Sequence, residues 1–168
     1  MLGLQARVTE LGLTGSFRFL PYQPREALCD SLAAADVHLA SLLPDLEGLI
    51  VPSKIYGILA AGRPTVFVGD PDGEVARVLR DAGCGVSVSC ADGAGLAREL
   101  QALRSDLQYT RELGARARRV FEEKYTLDRA VGKWLQVLGA AGLPVSDLLT
   151  SPAAAGRNGR AHDIVTNQ

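Results

Sequence analysis

The sequence is poor in the residues that build metal sites and disulfide frameworks. Among its 168 residues are two histidines and three cysteines, and Cys29, Cys84 and Cys90 show no CxxC spacing. An odd number of cysteines without that spacing argues against both a disulfide framework and a zinc site. We therefore expect reduced thiols, as in a cytoplasmic protein.

Charge and hydropathy exclude further classes of protein. The formal net charge is -1, whereas nucleic-acid-binding domains usually carry a basic surplus. No apolar run approaches the length needed to span a bilayer. Arg7 and Glu10 interrupt the apolar positions of the first residues, unlike the pattern of a signal peptide. With 47% hydrophobic and 22% charged residues, the composition is that of a globular domain.

What is present is an alternation of short apolar runs with helical periodicity, which predicts an α/β domain with parallel strands. Apolar runs bounded by turn residues predict strands at 17–20, 37–41, 65–68 and 86–88. Apolar residues spaced three and four apart predict helices at 2–11, 24–35, 74–82, 107–124 and 127–138, and two more that begin near Ser53 and Asp92. In the last helix, Val131, Trp134, Leu135 and Leu138 would form the buried face.

We expect one domain over 1–140 and a disordered tail over 141–168, where small and polar residues dominate and no periodicity remains. In a parallel sheet, ligands bind beyond the carboxyl ends of the strands. The segments at those ends are 21–24, 42–53 and 69–74, so three loops should converge on one crevice.

The segment 44–64, PDLEGLIVPSKIYGILAAGRP, carries the strongest functional signal. A loop containing Glu47 and Gly48 leads into a helix for which Ser53 is an N-cap candidate, and Lys54 lies in its first turn. A helix N-terminus beyond a glycine-containing loop offers free backbone N–H groups and a positive dipole end. A lysine in that turn is unfavourable for the helix dipole unless an anion binds there. The segment therefore predicts a phosphate site.

Several motifs together resemble one known family. FLPYQPREAL, AAADVHLASL, EGLIVPSKIYGILAAGRP, DGEVARVLRDAGCGVSV and LGARARRVFEEKYT are similar to the C-terminal half of retaining GT-B glycosyltransferases of family four, with the colanic-acid-type enzymes as the nearest subgroup. The resemblance implies a Rossmann-like three-layer fold, a parallel sheet with flanking helices. It also implies transfer of a sugar from a nucleotide sugar, such as a UDP- or GDP-sugar, to a glycan or lipid-linked acceptor, without a metal or other cofactor.

The same resemblance assigns roles to individual residues. Glu47 would be the catalytic residue that orients the hydroxyl groups of the donor sugar. The segment 20–22 would hold the nucleobase, the backbone around Gly48 would face the diphosphate and sugar, and the helix start at Lys54 would hold phosphate charge. The nucleotide-sugar-binding set is Leu20, Tyr22, Gly48, Leu49, Ser53, Lys54 and Tyr56.

Two departures from the family pattern stand out. Many relatives carry a second glutamate on the helix that bonds the ribose, and here that position is Gly57, so that Tyr56 or a water would have to replace it. The family's domain also begins with two further strands and a basic residue that this chain lacks. In the order of the sheet, those missing strands would lie between the strands at 17–20 and 37–41. We therefore expect a fragment that is poorly stable and inactive alone, with a separate N-terminal domain in intact relatives.

Alternatives remain open from the sequence. A sugar-nucleotide epimerase of the same fold would place phosphates on the same helix, and a degenerate interaction module would use the loops only structurally. The DxD spacing of Asp70 and Asp72 is more typical of a turn than of a metal site. His38 is expected to be a hydrogen-bonded core residue, and Glu74 a helix-capping acid. The expected location is the cytoplasm, with peripheral contact with the inner face of the plasma membrane if the acceptor is lipid-linked.

Overall fold

The computed structural model describes residues 2–143, with a three-stranded parallel sheet at the centre. Strands β1 (His38–Ser41), β2 (Thr65–Val68) and β3 (Gly85–Val88) are ordered β1-β2-β3. His38 lies opposite Thr65, and Thr65 opposite Gly85. β2 occupies the centre because its continuous apolar run can be covered on both faces, as in other parallel sheets.

Helices connect and flank these strands. Helix α3 (Lys54–Ala60) follows β1, and α4 (Glu74–Ala82) follows β2, so that each parallel pair is joined by a helical crossover. The remaining helices are α1 (Leu2–Glu10), α2 (Leu28–Ala33), α5 (Gly93–Ser105), α6 (Leu107–Lys124) and α7 (Leu127–Ala140). Short 3-10 turns lie at Thr14–Ser16, Arg25–Ala27 and Pro44–Leu46. The α/β class that the sequence predicts is confirmed.

The core forms on both faces of β2. Val66 and Phe67 are completely buried, as are Leu59 of α3 and Leu79 of α4. Val66 belongs to a cluster that α5 and α6 complete: Val66, Val88, Leu103 and Leu113, with Val37, Val86, Leu96 and Leu100 packed against it. Burying an aliphatic or aromatic side chain of this size contributes about 1.5–3 kcal/mol, so β2 and its covering helices carry much of the stability.

The strand predicted at 17–20 is wrong. This segment is extended but joins no ladder of the described sheet, and Phe17 and Leu20 are about half exposed. The rings of Phe17 and Phe19 stack on each other with centroids 6.3 Å apart. Apolar alternation alone does not make a strand, because backbone N–H and C=O groups need a partner strand to pair with.

Two arginines of α6 stabilise the ends of other helices. Arg118 donates to the carbonyl of Ala60 at the end of α3, over 2.6 Å. Arg116 donates to the carbonyl of Gly83, just beyond α4, over 3.2 Å. Helix ends carry unpaired carbonyls that cationic side chains satisfy. Arg116 and Arg118 therefore connect α6 to the ends of α4 and α3.

Within the described residues, the chain divides into two compact units, which separate between Arg118 and Arg119. In the second unit, the Thr126 hydroxyl caps α7 by accepting from the Arg129 N–H over 3.3 Å. The predicted buried face of α7 is wrong for Trp134 and Val131, which are 66% and 43% exposed, whereas Leu135 and Leu138 are half-buried. Periodicity identifies an amphipathic helix but not what covers it. Most of the predicted tail, namely 144–168, lies outside the described residues.

Candidate functional site

The candidate site lies at the carboxyl edge of the sheet, where the loops after β1 and β2 meet. The strand pairing extends one residue past the strands, because the Leu42 N–H donates to Val68 and the Gly69 N–H donates to Val88, over 3.1 and 3.0 Å. These bonds bring the loop 42–53 beside the loop 69–73. Adjacent loops at this edge are where an α/β sheet binds its ligands.

Glu47 links the two loops through its carboxylate. The 3-10 turn Pro44–Leu46 ends at Glu47, whose Oε1 accepts a hydrogen bond from the Glu74 N–H over 2.6 Å. Glu74 is the first residue of α4, so a negative charge lies on the positive end of that helix dipole. The other oxygen, Oε2, is buried and has no hydrogen-bond partner within residues 2–143.

A buried carboxylate oxygen without a partner is uncommon and costly, since most buried polar atoms are hydrogen-bonded. Here one oxygen of the same group is well bonded while the other is not. Oε2 is therefore an acceptor for which the described chain provides no donor.

The backbone beyond Glu47 turns sharply. Gly48 has a φ of +78°, a left-handed conformation that favours glycine. The N–H groups of Leu49 and Ile50 both donate to the Leu46 carbonyl, over 3.1 and 3.2 Å. The Leu49 side chain is 75% exposed. The loop is thus closed on itself, and the Leu49 N–H that the resemblance places against the diphosphate is engaged within the loop.

The start of α3 differs from the expected capped helix. Ser53 occupies the N-cap position but has αR angles, and its hydroxyl makes no capping bond in the part of the chain that the structure describes. A side-chain cap requires an extended N-cap residue. The first turn is instead closed by Ile55 N–H to the Pro52 carbonyl and by Tyr56 N–H to the Ser53 carbonyl. Lys54 is exposed there.

An open cleft of about 290 Å³ follows the two loops. Its lining residues are Glu47, Gly48, Leu49, Ile50, Val51, Glu74 and Arg77. The guanidinium of Arg77 is paired with the Glu74 carboxylate over 2.9 Å. The cleft therefore combines two acids, one cation and an apolar loop.

The structure brings only part of the predicted set into this cleft. Glu47, Gly48 and Leu49 line it, whereas Leu20, Tyr22, Ser53, Lys54 and Tyr56 are not among its lining residues. Leu20 is 54% exposed and Tyr22 is 94% exposed on the segment that failed to form a strand.

Sequence reasoning missed Gly73 and Arg77. The available signal was the start of α4, where a glycine stands at the N-cap in place of a residue with a capping side chain. A helix that begins this way takes its first acceptor from water or from elsewhere in the chain, and here Glu47 provides it.

The other polar motifs have structural explanations. Asp70 Oδ1 accepts from the Asp72 N–H over 2.9 Å, and the Gly73 N–H donates to the Asp70 carbonyl, so the predicted turn is confirmed. His38 Nε2–H donates to the Leu32 carbonyl over 2.8 Å, so the expected hydrogen bond is confirmed. The expected core position is wrong, because His38 is only half-buried on the edge strand β1. Among the described residues, no group of three or more histidine, cysteine or acidic side chains could hold a metal ion. Nor is any described helix long and apolar enough to cross a membrane.

Comparison with known proteins identifies the class of fold. The structure superposes on the Anabaena protein HepE solved in complex with UDP-glucose, with a TM-score of 0.69 and 18% identity, over 82% of this chain and 36% of that chain. It also superposes on sucrose-phosphate synthase from Thermosynechococcus elongatus, with a TM-score of 0.67 and 21% identity, over 82% of this chain and 34% of that one. These matches show a Rossmann-like fold of the GT-B type.

Sequence similarity connects part of the chain with a glycosyltransferase. The chain is 34% identical over 96 residues to the "Probable glycosyltransferase WbjE" of Pseudomonas aeruginosa, covering 56% of this chain and 23% of that protein. A comparison with protein-family models finds no match. The resemblance to GT-B glycosyltransferases is confirmed by both sequence and fold, while the colanic-acid subtype stays a prediction. The chain spans about a quarter of WbjE and about a third of the two solved chains.

Proposed function

We propose that this chain is the donor-binding half of a glycosyltransferase, which transfers a sugar from a nucleotide sugar to an acceptor in polysaccharide or glycolipid synthesis. The observation that carries the proposal is the position of Glu47. Its carboxylate is fixed on the N-terminus of α4 at the carboxyl edge of the sheet, with Oε2 buried and without a partner in the described chain.

In this proposal, Glu47 Oε2 accepts a hydrogen bond from a hydroxyl group of the donor sugar. A sugar offers several hydroxyl donors, and a fixed carboxylate selects the orientation in which one of them reaches the unpaired oxygen. Holding the sugar in one orientation relative to the leaving group lowers the entropic part of the barrier.

The diphosphate leaving group requires positive charge rather than a base. Negative charge develops on it as the glycosyl–phosphate bond breaks, and fixed cations and N–H donors stabilise that charge. We propose that the exposed Lys54 and the backbone at Gly48 and Ser53 supply this stabilisation, with no metal ion. Tyr56, in the same first turn, would contact the nucleotide, and Leu20 and Tyr22 would approach the base.

The experiment is a titration of the full chain with UDP-glucose, GDP-glucose, UDP and GDP, followed by NMR. UDP-glucose comes first, because the HepE neighbour was solved with it. One member of the panel should bind, and Lys54→Ala should weaken it by about ten- to hundredfold, the size of one charge-assisted hydrogen bond. Lys124→Ala removes an equally exposed lysine elsewhere and is the matched control.

Three outcomes would separate the candidate functions. Binding that is insensitive to Lys54→Ala would refute the phosphate role of Lys54. Conversion of the bound sugar nucleotide into its epimer without an acceptor would identify an epimerase. Absence of binding by the folded chain would leave the interaction module as the better account.

The acceptor side of the reaction belongs to the same proposal. We place the reaction in the cytoplasm, with a glycan or a lipid-linked glycan as acceptor and peripheral contact with the inner face of the plasma membrane in the second case. The expectation that this chain alone turns over no substrate stays a prediction, and a transfer assay with radiolabelled donor checks it.

A further inference from the structure

Gly73 lies against the Glu47 carboxylate. A Cβ atom built on Gly73 would lie 2.6 Å from Glu47 Oε2, 2.7 Å from Cδ and 3.0 Å from Oε1. These separations are shorter than any ordinary van der Waals contact. The position is buried, so a side chain there could not simply turn into solvent.

The backbone of Gly73 does not itself require glycine. Its φ of -68° and ψ of 169° are extended angles that any L-residue adopts. The turn Asp70–Gly73 favours glycine at its last position only mildly. What the missing side chain provides is room for the carboxylate of Glu47.

We infer that Gly73 is a positioning residue for Glu47. The atoms that a methyl group would meet are the far end of a flexible side chain, so Gly73→Ala displaces the carboxylate and leaves the helix in place. The displaced carboxylate loses the Glu74 N–H, and Oε2 leaves the position from which it accepts a substrate hydroxyl. This last step rests on the proposed function, whereas the placement of the carboxylate does not.

The position of Gly73 also explains how one acid serves both the fold and a ligand. Oε1 satisfies the N-terminus of α4, a nine-residue helix whose N-cap makes no side-chain capping bond in the described chain. Oε2 is buried beside Gly73, and a side chain at residue 73 would take the space that this oxygen occupies. A serine or aspartate at position 73 could cap α4 directly but would exclude Glu47.

The test combines Gly73→Ala with Glu47→Ala in the full chain. The first measurement is the amide proton shift of Glu74, which reports its hydrogen bond to the carboxylate. Gly73→Ala should move this signal upfield, toward its position in Glu47→Ala, and the double variant should match Glu47→Ala. Gly93→Ala is the matched control, since Gly93 also begins a helix and has nothing within 4 Å of its Cβ position.

The second measurement is the affinity for the sugar nucleotide of the panel that the parent chain binds, UDP-glucose or GDP-glucose. Gly73→Ala should weaken it about tenfold, the loss of one charge-assisted hydrogen bond. In the Glu47→Ala background the same substitution should have no further effect. A general effect on folding would instead add equally in both backgrounds.

Failure of the inference and failure of the proposed function are distinct results. A Glu74 amide signal unchanged by Gly73→Ala overturns the positioning role, whatever the affinity. A shifted Glu74 signal in a chain that binds no sugar nucleotide supports the positioning role and refutes the donor site. Equal loss of affinity in both backgrounds also overturns the positioning role.

Discussion

Glu47→Ala should weaken donor binding strongly while changing the free energy of unfolding very little. Two effects on stability oppose each other. The substitution removes the hydrogen bond from the Glu74 N–H to Oε1, which for a charged acceptor is about 1.5–3 kcal/mol. It also removes the favourable charge at the N-terminus of α4, about 0.3–1 kcal/mol.

The effect that stabilises the Glu47→Ala variant comes from Oε2. A buried oxygen without a partner costs about 1–3 kcal/mol, and alanine removes that cost together with the group. The Glu74 N–H that loses its acceptor belongs to an exposed residue, where water can replace the carboxylate. The two sides nearly cancel, so we expect a net change within about 1 kcal/mol of zero.

The assay is urea denaturation followed by circular dichroism, beside the affinity for the sugar nucleotide. Asp106→Ala is the matched control, because the Asp106 carboxylate accepts from the Tyr109 N–H over 2.8 Å at the start of α6 and has no role in the site. Loss of this cap should cost about 1 kcal/mol and leave the affinity unchanged. A Glu47→Ala chain destabilised by more than about 2 kcal/mol but with unaltered affinity would make Glu47 only a helix cap.

Two further predictions concern the core. Burial raises the pKa of Cys84 from 9.0 to about 11, so the folded state favours the neutral thiol. This preference adds about 3 kcal/mol to the free energy of unfolding. The contribution is fully present below pH 9 and is lost as the pH rises to 11. Between pH 9 and 11, the midpoint of urea denaturation should fall less for Cys84→Ala than for the parent chain. Equal falls for the two chains would contradict the raised pKa of Cys84. Gly114→Ala would place a Cβ 2.4 Å from the Gly62 carbonyl and should cost about 1–3 kcal/mol by overpacking, lowering the melting temperature. Gly132→Ala, with nothing within 4 Å, should raise it slightly, and equal shifts for both would refute the close-packing argument.

The centre of the fold could be predicted from the sequence because its signals are local. β2 was predicted at 65–68 and is observed as Thr65–Val68, and α6 was predicted at 107–124 and is observed as Leu107–Lys124. Each is a strong apolar pattern bounded by residues that end it. The segment 17–20 carries a similar pattern and is not a strand, because pairing depends on a partner elsewhere in the chain. No local pattern reports whether that partner exists.

The residues of the candidate site also divide into those that a local sequence pattern reports and those that it does not. Glu47 and Gly48 could be named as candidates from the sequence because they lie together in a loop that resembles the family motif. The acceptor role of Glu47 for the Glu74 N–H, 27 positions away, could not, since the contact depends on two loops meeting at the sheet edge. Gly73 was missed for the same reason, because its role is the space it leaves for another segment.

Glu47 and Gly57 carry opposite implications for the proposed donor site. Gly57 stands where many members of the resembled family have a second glutamate. Its Cβ position is 3.2 Å from Leu32 Cδ1, so an acid there would meet an apolar side chain of α2. The retained acid, Glu47, is one that the fold itself uses through Oε1. Its presence alone is therefore a weak indication of activity, since selection for stability would also keep it. The stronger indication is Oε2, because a carboxylate kept only for capping gains nothing from burying its second oxygen without a partner. In our proposal, that unpaired oxygen accepts from a hydroxyl group of the donor sugar, and groups other than residue 57 hold the ribose.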